Sequence, residues 1–254
     1  MKEYKDRTYR DAFRSDRWRG FVVQYKEADI WVGVDKVSFV PVMQDFALES
    51  IRRLRDEMDE YLSIDPDYAR SLIPYEPMAD APQLMKQMAK ASHKAGIGPM
   101  ASVAGAFAVH IAKELKTHFA INEIMIENGG DIYADIQGDI DVFVFAGESV
   151  LSEKIGLHVK ASESPLGICT SSGTVGPSLS FGKADAVMIV CRDILLADSY
   201  ATAFANRIQT VADIEPVLEE IKKEKSILSA LIVKDDKVGI AGKFEMRVRS
   251  TQDE

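Results

Sequence analysis

The chain has 254 residues, 46% of them hydrophobic and 28% charged, the balance of a soluble globular protein with a sizeable core. Its 31 Lys and Arg against 40 Asp and Glu leave a net charge of −9, which repels phosphate backbones and argues against nucleic acid as a partner. No apolar run approaches the roughly 20 residues of a membrane helix. Met1 to Arg19 is too charged for a signal peptide, and two cysteines, Cys169 and Cys191, make no disulfide framework, so a cytoplasmic protein with no membrane partner is expected.

In chain order, Phe21, Val23 and Tyr25 and then Ile30, Val32 and Val34 alternate around Glu27-Ala28-Asp29 and predict a β-hairpin. Ala47, Ile51, Leu54, Met58 and Tyr61 recur every three or four residues and predict a helix over about 44–62, stopped at Asp65-Pro66. Pro74, Pro77 and Pro82 mark a loop, and Pro82 opens a second helix carrying Leu84, Met85, Met88 and Ala91. After a break at Ala95-Gly96-Ile97-Gly98-Pro99, a third helix is predicted over about 100–117. Its first half is built from small residues that let a backbone or ligand come close.

Strands are predicted at 123–127, 132–136, 141–145, 156–160, 166–170 and 186–191, and helices at 195–208 and 216–225. The last strands, 231–233, 238–240 and 244–248, read as a terminal hairpin. Helices and strands come in blocks, so the class is α+β. No repeat or flexible linker divides the chain, and a single domain over 1–254 is expected.

Three constellations could carry chemistry. Asp198 and Thr202 are four apart on a predicted helix and share a face. Such a pair suits either one hard cation or an ordinary polar patch, and spacing alone favours the patch. Glu127-Asn128-Gly129-Gly130-Asp131 follows a strand. It reads as a hairpin turn, or as glycines giving a ligand close access to backbone. Cys169-Thr170-Ser171-Ser172-Gly173-Thr174-Val175-Gly176-Pro177 puts hydroxyls and free amides after a strand. It could cradle phosphates or be an ordinary loop, and it matches no standard phosphate-loop pattern. Cys169 at the head of that loop reads as a core residue or as a reachable thiolate. His93, His110, His118 and His158 make no zinc-ligand spacing.

Taken in order, three segments resemble the ApbE-like superfamily, the FAD:protein FMN transferases. Val103-Ala104-Gly105-Ala106-Phe107-Ala108-Val109-His110 is similar to its helix signature. Glu127-Asn128-Gly129-Gly130-Asp131-Ile132 is similar to its glycine-pair strand end. Ala197-Asp198 with Ala201-Thr202-Ala203 is similar to its final Ala-Asp-x-x-x-Thr-Ala run, and Thr170-Ser171-Ser172-Gly173 stands where the family has Thr-Ser-Gly. The motif-bearing region is about 100–207.

The resemblance implies an ApbE-like fold of two interleaved β/α lobes with mostly antiparallel strands. It also implies a nucleotide ligand, FAD or FMN, with Mg²⁺ held by the Ala104 carbonyl, the Asp198 carboxylate and the Thr202 hydroxyl. Asn128, Gly129, Gly130, Ser171, Ser172 and Gly173 are then the cofactor-binding candidates, and a protein acceptor of the flavin is implied. The chain departs from the family at Gly105, where a lysine is usual, and at His110, where an aspartate is usual. It also lacks the family's His-x-x-Asp-Pro segment between Gly173 and Val187. These departures fit a branch distinct from the true transferases, binding a flavin without necessarily transferring it. The alternatives are a sulfur carrier using Cys169 as thiol or persulfide, and a non-catalytic module for small anions.

Overall fold

The structure, a computed structural model, describes residues 17–174 and 181–249. The charged start over 1–16 and the 175–180 part of the hydroxyl-rich loop lie outside the described residues. The elements are β1 (Trp18–Tyr25), β2 (Ala28–Asp35), α1 (Val42–Ile64), α2 (Pro66–Arg70), α3 (Gln83–Ala95), α4 (Val103–His118), β3 (Ile124–Asn128), β4 (Asp131–Asp135), β5 (Ile140–Phe143), β6 (Ile155–Val159), β7 (Leu166–Ser171), β8 (Ala186–Cys191), α5 (Ile194–Ala205), α6 (Ile214–Ile221), β9 (Ile227–Lys234), β10 (Lys237–Gly242) and β11 (Glu245–Val248).

Eight strands pair in the order β1-β2-β3-β4-β7-β8-β9-β10, and three more in the order β11-β6-β5. All the pairings are antiparallel. The central strands of the large sheet are buried on both faces. Alternate residues of β8 show why: Val187, Ile189 and Cys191 join a core with the helices, while Ala186, Met188 and Val190 join a second core with the small sheet. This sandwich is the α+β architecture expected, with mostly antiparallel strands.

Two local expectations are revised. Pro66 does not only end α1. Its fixed φ starts the short helix α2 at once, because a proline needs no donor at the first turn. Strands β9 and β10 do form the terminal hairpin, turning at Asp235 and Asp236, but the third strand does not extend it. Gly242, at φ 104°, turns the chain away, and β11 crosses to pair with β6 in the small sheet.

Helix α5 is the centre of the helical layer. Every one of its residues except Thr202 is buried, so it is a core helix rather than a surface one. It begins with a side-chain cap, Asp193 Oδ1 accepting from Leu195 N at 2.9 Å. Its first turn presses on the sheet at Gly167, where an added Cβ would lie 2.3 Å from Ile194 Cα. Among the described residues no single helix is long and apolar enough to cross a membrane.

Gly167→Ala should therefore force α5 away from β7 and lower stability by about 3 kcal/mol. Urea denaturation monitored by circular dichroism measures this; a midpoint equal to wild type would contradict the packing described.

Candidate functional site

The strand ends at Asn128 and Ser171 and the start of β4 lie at one end of the large sheet, beneath the first turn of α4 and the middle of α5. The β3–β4 connection is a two-residue turn in which Gly129 and Gly130 take φ 68° and 101°. Positive φ at both central positions is what a tight hairpin needs, and glycine supplies it without a steric cost. Glu127 Oε1 accepts from Gly130 N at 2.8 Å and ties the turn back to its own strand.

Asn128 and Asp131 are direct partners across this hairpin, and Asp131 pairs in turn with Cys169 of β7. Directly opposed residues share a face, here the face toward the helices. Asn128 Nδ2 donates to Ala104 O at 3.1 Å, and Gly105 N donates to Asp198 Oδ2 at 2.8 Å. Cys169 Sγ lies 3.7 Å from Ile194 O, one turn before Asp198. Gly130 sits against Thr170, with its added Cβ position 3.5 Å from Thr170 O.

Helix α4 thus presents one amide of its first turn, Gly105 N–H, to Asp198. That end of a helix carries positive partial charge and favours an anion. The approach depends on Gly105: an added Cβ would lie 3.1 Å from Ile194 Cγ1 and 3.2 Å from Asp198 Oδ2. The lysine usual in the resembled family would crowd Asp198 here, which gives a physical reason for that departure.

The site is acidic and closed. Asp131 and Asp198 are 7% and 6% exposed, and no described basic side chain pairs with either. Burial pushes the Asp131 carboxyl well above the usual range, and the neighbouring Asp198 adds to the effect. Asp198 is raised by burial and held down in part by the Gly105 amide. Cys169 is fully buried, and burial together with Asp131 and Asp198 pushes its thiol upward. That is the opposite of what a thiolate nucleophile needs.

Of the residues singled out in the sequence, the structure gathers Ala104, Asn128, Gly129, Gly130, Cys169 and Asp198 at this sheet end, with Thr202 one turn further along α5. Ser171 pairs with Val187 at the end of β7. Ser172 and Gly173 turn elsewhere: Ser172 Oγ meets Thr174 Oγ1 at 3.2 Å and Ala184 O at 3.4 Å, and Gly173 N donates to Ala184 O at 2.9 Å. Among the described residues no three His, Cys, Asp or Glu side chains group to hold a metal. Asp131 was missed as a site residue. Its signal was the carboxylate directly after the glycine pair, read as part of a turn.

The peptide between Ala104 and Gly105 bears on the implied metal ligands. In a trans peptide the C=O and N–H point in opposite directions. Asp198 Oδ2 holds the Gly105 N–H, so Ala104 O faces away from that oxygen, toward Asn128.

The family model described as AbpE bacteria matches residues 10–238. The chain belongs to this family. It is 37% identical over 206 residues to the UPF0280 protein of Methanocella arvoryzae, covering 81% of this chain and 83% of that one. It is 35% identical over 230 residues to the UPF0280 protein of Methanocaldococcus jannaschii, covering 89% and 91%. In fold the AbpE chain is similar to the flavinyl transferase ApbE of Pseudomonas stutzeri in its apo form, with a TM-score of 0.57, 12% identity, and 89% and 94% of the two chains covered. The ApbE protein of Thermotoga maritima gives a TM-score of 0.52 at 12% identity, over 87% and 96%. The ApbE-like fold read from the sequence is therefore the fold of this AbpE family member.

Both thiols of the native protein, Cys169 and Cys191, are buried. They should react with Ellman's reagent only on unfolding. A thiol titrating rapidly in native buffer would contradict the closed site.

Proposed function

We propose that this protein binds a flavin nucleotide, FAD or FMN, together with Mg²⁺, at the sheet end around Asp198. One observation carries the reading: Asp198 is a buried carboxyl on an otherwise core helix, bonded to one first-turn amide of a second helix, Gly105 N–H, and set beside a glycine-pair turn. A buried acid without a basic partner costs stability, and functional sites are where such costs concentrate. The ApbE-like fold adds the ligand class, since the Pseudomonas stutzeri neighbour is a flavinyl transferase.

The donor set fits a hard divalent ion: oxygens only, with a carboxylate at its centre. Asp198 and Thr202 share one face of α5, and Thr202 is the single residue of that helix not buried. It therefore opens toward solvent one turn from the acid. Asp198 and Thr202 would hold the ion, with Ala104 O reached only from the free carboxylate oxygen or a turned side chain. Bound there, Mg²⁺ would neutralise the nucleotide's phosphates and polarise the bridging bond. Gly129 and Gly130 expose backbone for close approach of the ligand.

The reading is of binding first. FMN transfer or release of AMP from FAD would require positioning of the phosphates, and the chain has Gly105 in place of a lysine. A sulfur-carrier role for Cys169 would need an accessible thiolate, and the thiol's burial weighs against it.

Calorimetric titration of the full chain with FAD and with FMN, each with and without Mg²⁺, tests the proposal. Binding should strengthen with Mg²⁺, and Asp198→Asn should weaken it at least tenfold. No heat with either nucleotide under both conditions would overturn it. The same mixtures, chromatographed for AMP and FMN, report whether bound FAD is cleaved.

A further inference from the structure

The structure assigns to Asp131, together with Asp198, the binding of the divalent cation: we propose that the hairpin carboxylate supplies the second acidic ligand. This rests on the flavin–Mg²⁺ reading above and deepens it.

Three geometric facts lead there. First, Asp131 faces the helices. It is the hairpin partner of Asn128, whose amide touches Ala104 O, and the strand partner of Cys169, whose sulfur touches the first turn of α5. Asp131 is therefore set under the α4–α5 junction, where Gly105 and Asp198 meet. Second, Asp131 and Asp198 are both more than nine-tenths buried, and no described Lys, Arg or His pairs with either. Two carboxylates withdrawn from water repel each other when both are ionised, and a proton held by one of them or a cation between them relieves it. The groups facing Asp131 bring no cation: the Cys169 thiol, the Thr170 backbone and, from the opposite face of the sheet, Glu127. Third, Ala104 O is turned away from the oxygen of Asp198 that holds Gly105 and already accepts from Asn128.

A divalent ion bridging the two carboxylates resolves all three. Its charge of +2 balances two ionised acids, and its remaining positions stay open to Thr202, water and nucleotide oxygens. The resemblance to the transferases points to a carbonyl, one acid and a hydroxyl. This chain's own geometry points to two acids and a hydroxyl.

The test uses Mn²⁺ as the probe. Binding to the full-length protein is followed by electron paramagnetic resonance, with and without FAD, in wild type and in Asp131→Asn. Wild type should take up Mn²⁺, and Asp131→Asn should bind it at least tenfold more weakly. Thermal melting separates a ligand role from a structural one. In EDTA, Asp131→Asn should melt above wild type, because one of two uncompensated buried acids is gone. Added Mn²⁺ should raise the melting temperature of wild type and not of the variant.

Equal Mn²⁺ affinity in wild type and variant would overturn the proposal and leave the flavin reading standing. A variant that melts lower than wild type in EDTA would make Asp131 a structural residue and overturn it too. Wild type that binds no Mn²⁺, with FAD present or absent, would overturn both this inference and the Mg²⁺ part of the functional reading.

Discussion

The arrangement rests on Ile194 being wedged between two glycines. Gly167 of β7 lets the first turn of α5 settle directly on the sheet, and Gly105 of α4 lets the same residue pass against the neighbouring helix. With both side chains absent, three backbones converge within a few ångströms. Helix α5 can then sink between sheet and helices and bury nearly all of its surface. Dense interiors of this kind respond to one added methyl group because there is no slack to absorb it.

Sinking α5 also creates the electrostatic problem that defines the site. An acid on such a helix cannot reach water. Asp198 recovers part of its lost hydration from a single amide, Gly105 N–H, at a helix end that favours negative charge. Asp131 comes from a separate element, the hairpin, and is met by the Cys169 thiol and the Thr170 backbone. The same closeness that stabilises the core thus gathers two buried acids, with no described basic partner, at one point where ionising both is costly. In a protein with a net charge of −9, surface potential does nothing to relieve it.

Much of this was legible in the residues. Periods of two and of three to four gave the hairpin at 18–35, the long α1, the strands around the glycine pair and the apolar helix after β8. The order of three short motifs gave the ApbE-like fold. What could not be read was which polar residues face inward. Asp131, Tyr133 and Asp135 alternate with Ile132, Ala134 and Ile136, and that pattern ordinarily marks a strand with one wet face. Here helices cover the apparently polar face, so Asp131 is buried while Asp135, at the strand end, meets Lys116. Likewise the hydroxyls after Cys169 looked free. Asp185, Ala184 and their own turn occupy Ser172 and Thr174, partners that lie more than ten residues away or depend on the turn's shape. Cys169 could be read as either core or reactive, and only the depth of α5 decides.

The two-residue turn at Gly129 and Gly130 has a consequence beyond bringing two strands together. Side chains on a strand alternate between faces, so pairing β3 with β4 one position out would offer Glu127 or Ile132 to the helices in place of Asn128 and Asp131. A turn of fixed length forbids that slip. The make-up of this sheet end is thereby tied to alignment: lengthening the connection by a single residue would leave the strands' hydrogen bonding possible and yet turn the hairpin's residues at the acidic centre, Asn128 or Asp131, away from the helices. Relatives that share the fold can differ in chemistry through so small a change, with no substitution of a reactive side chain.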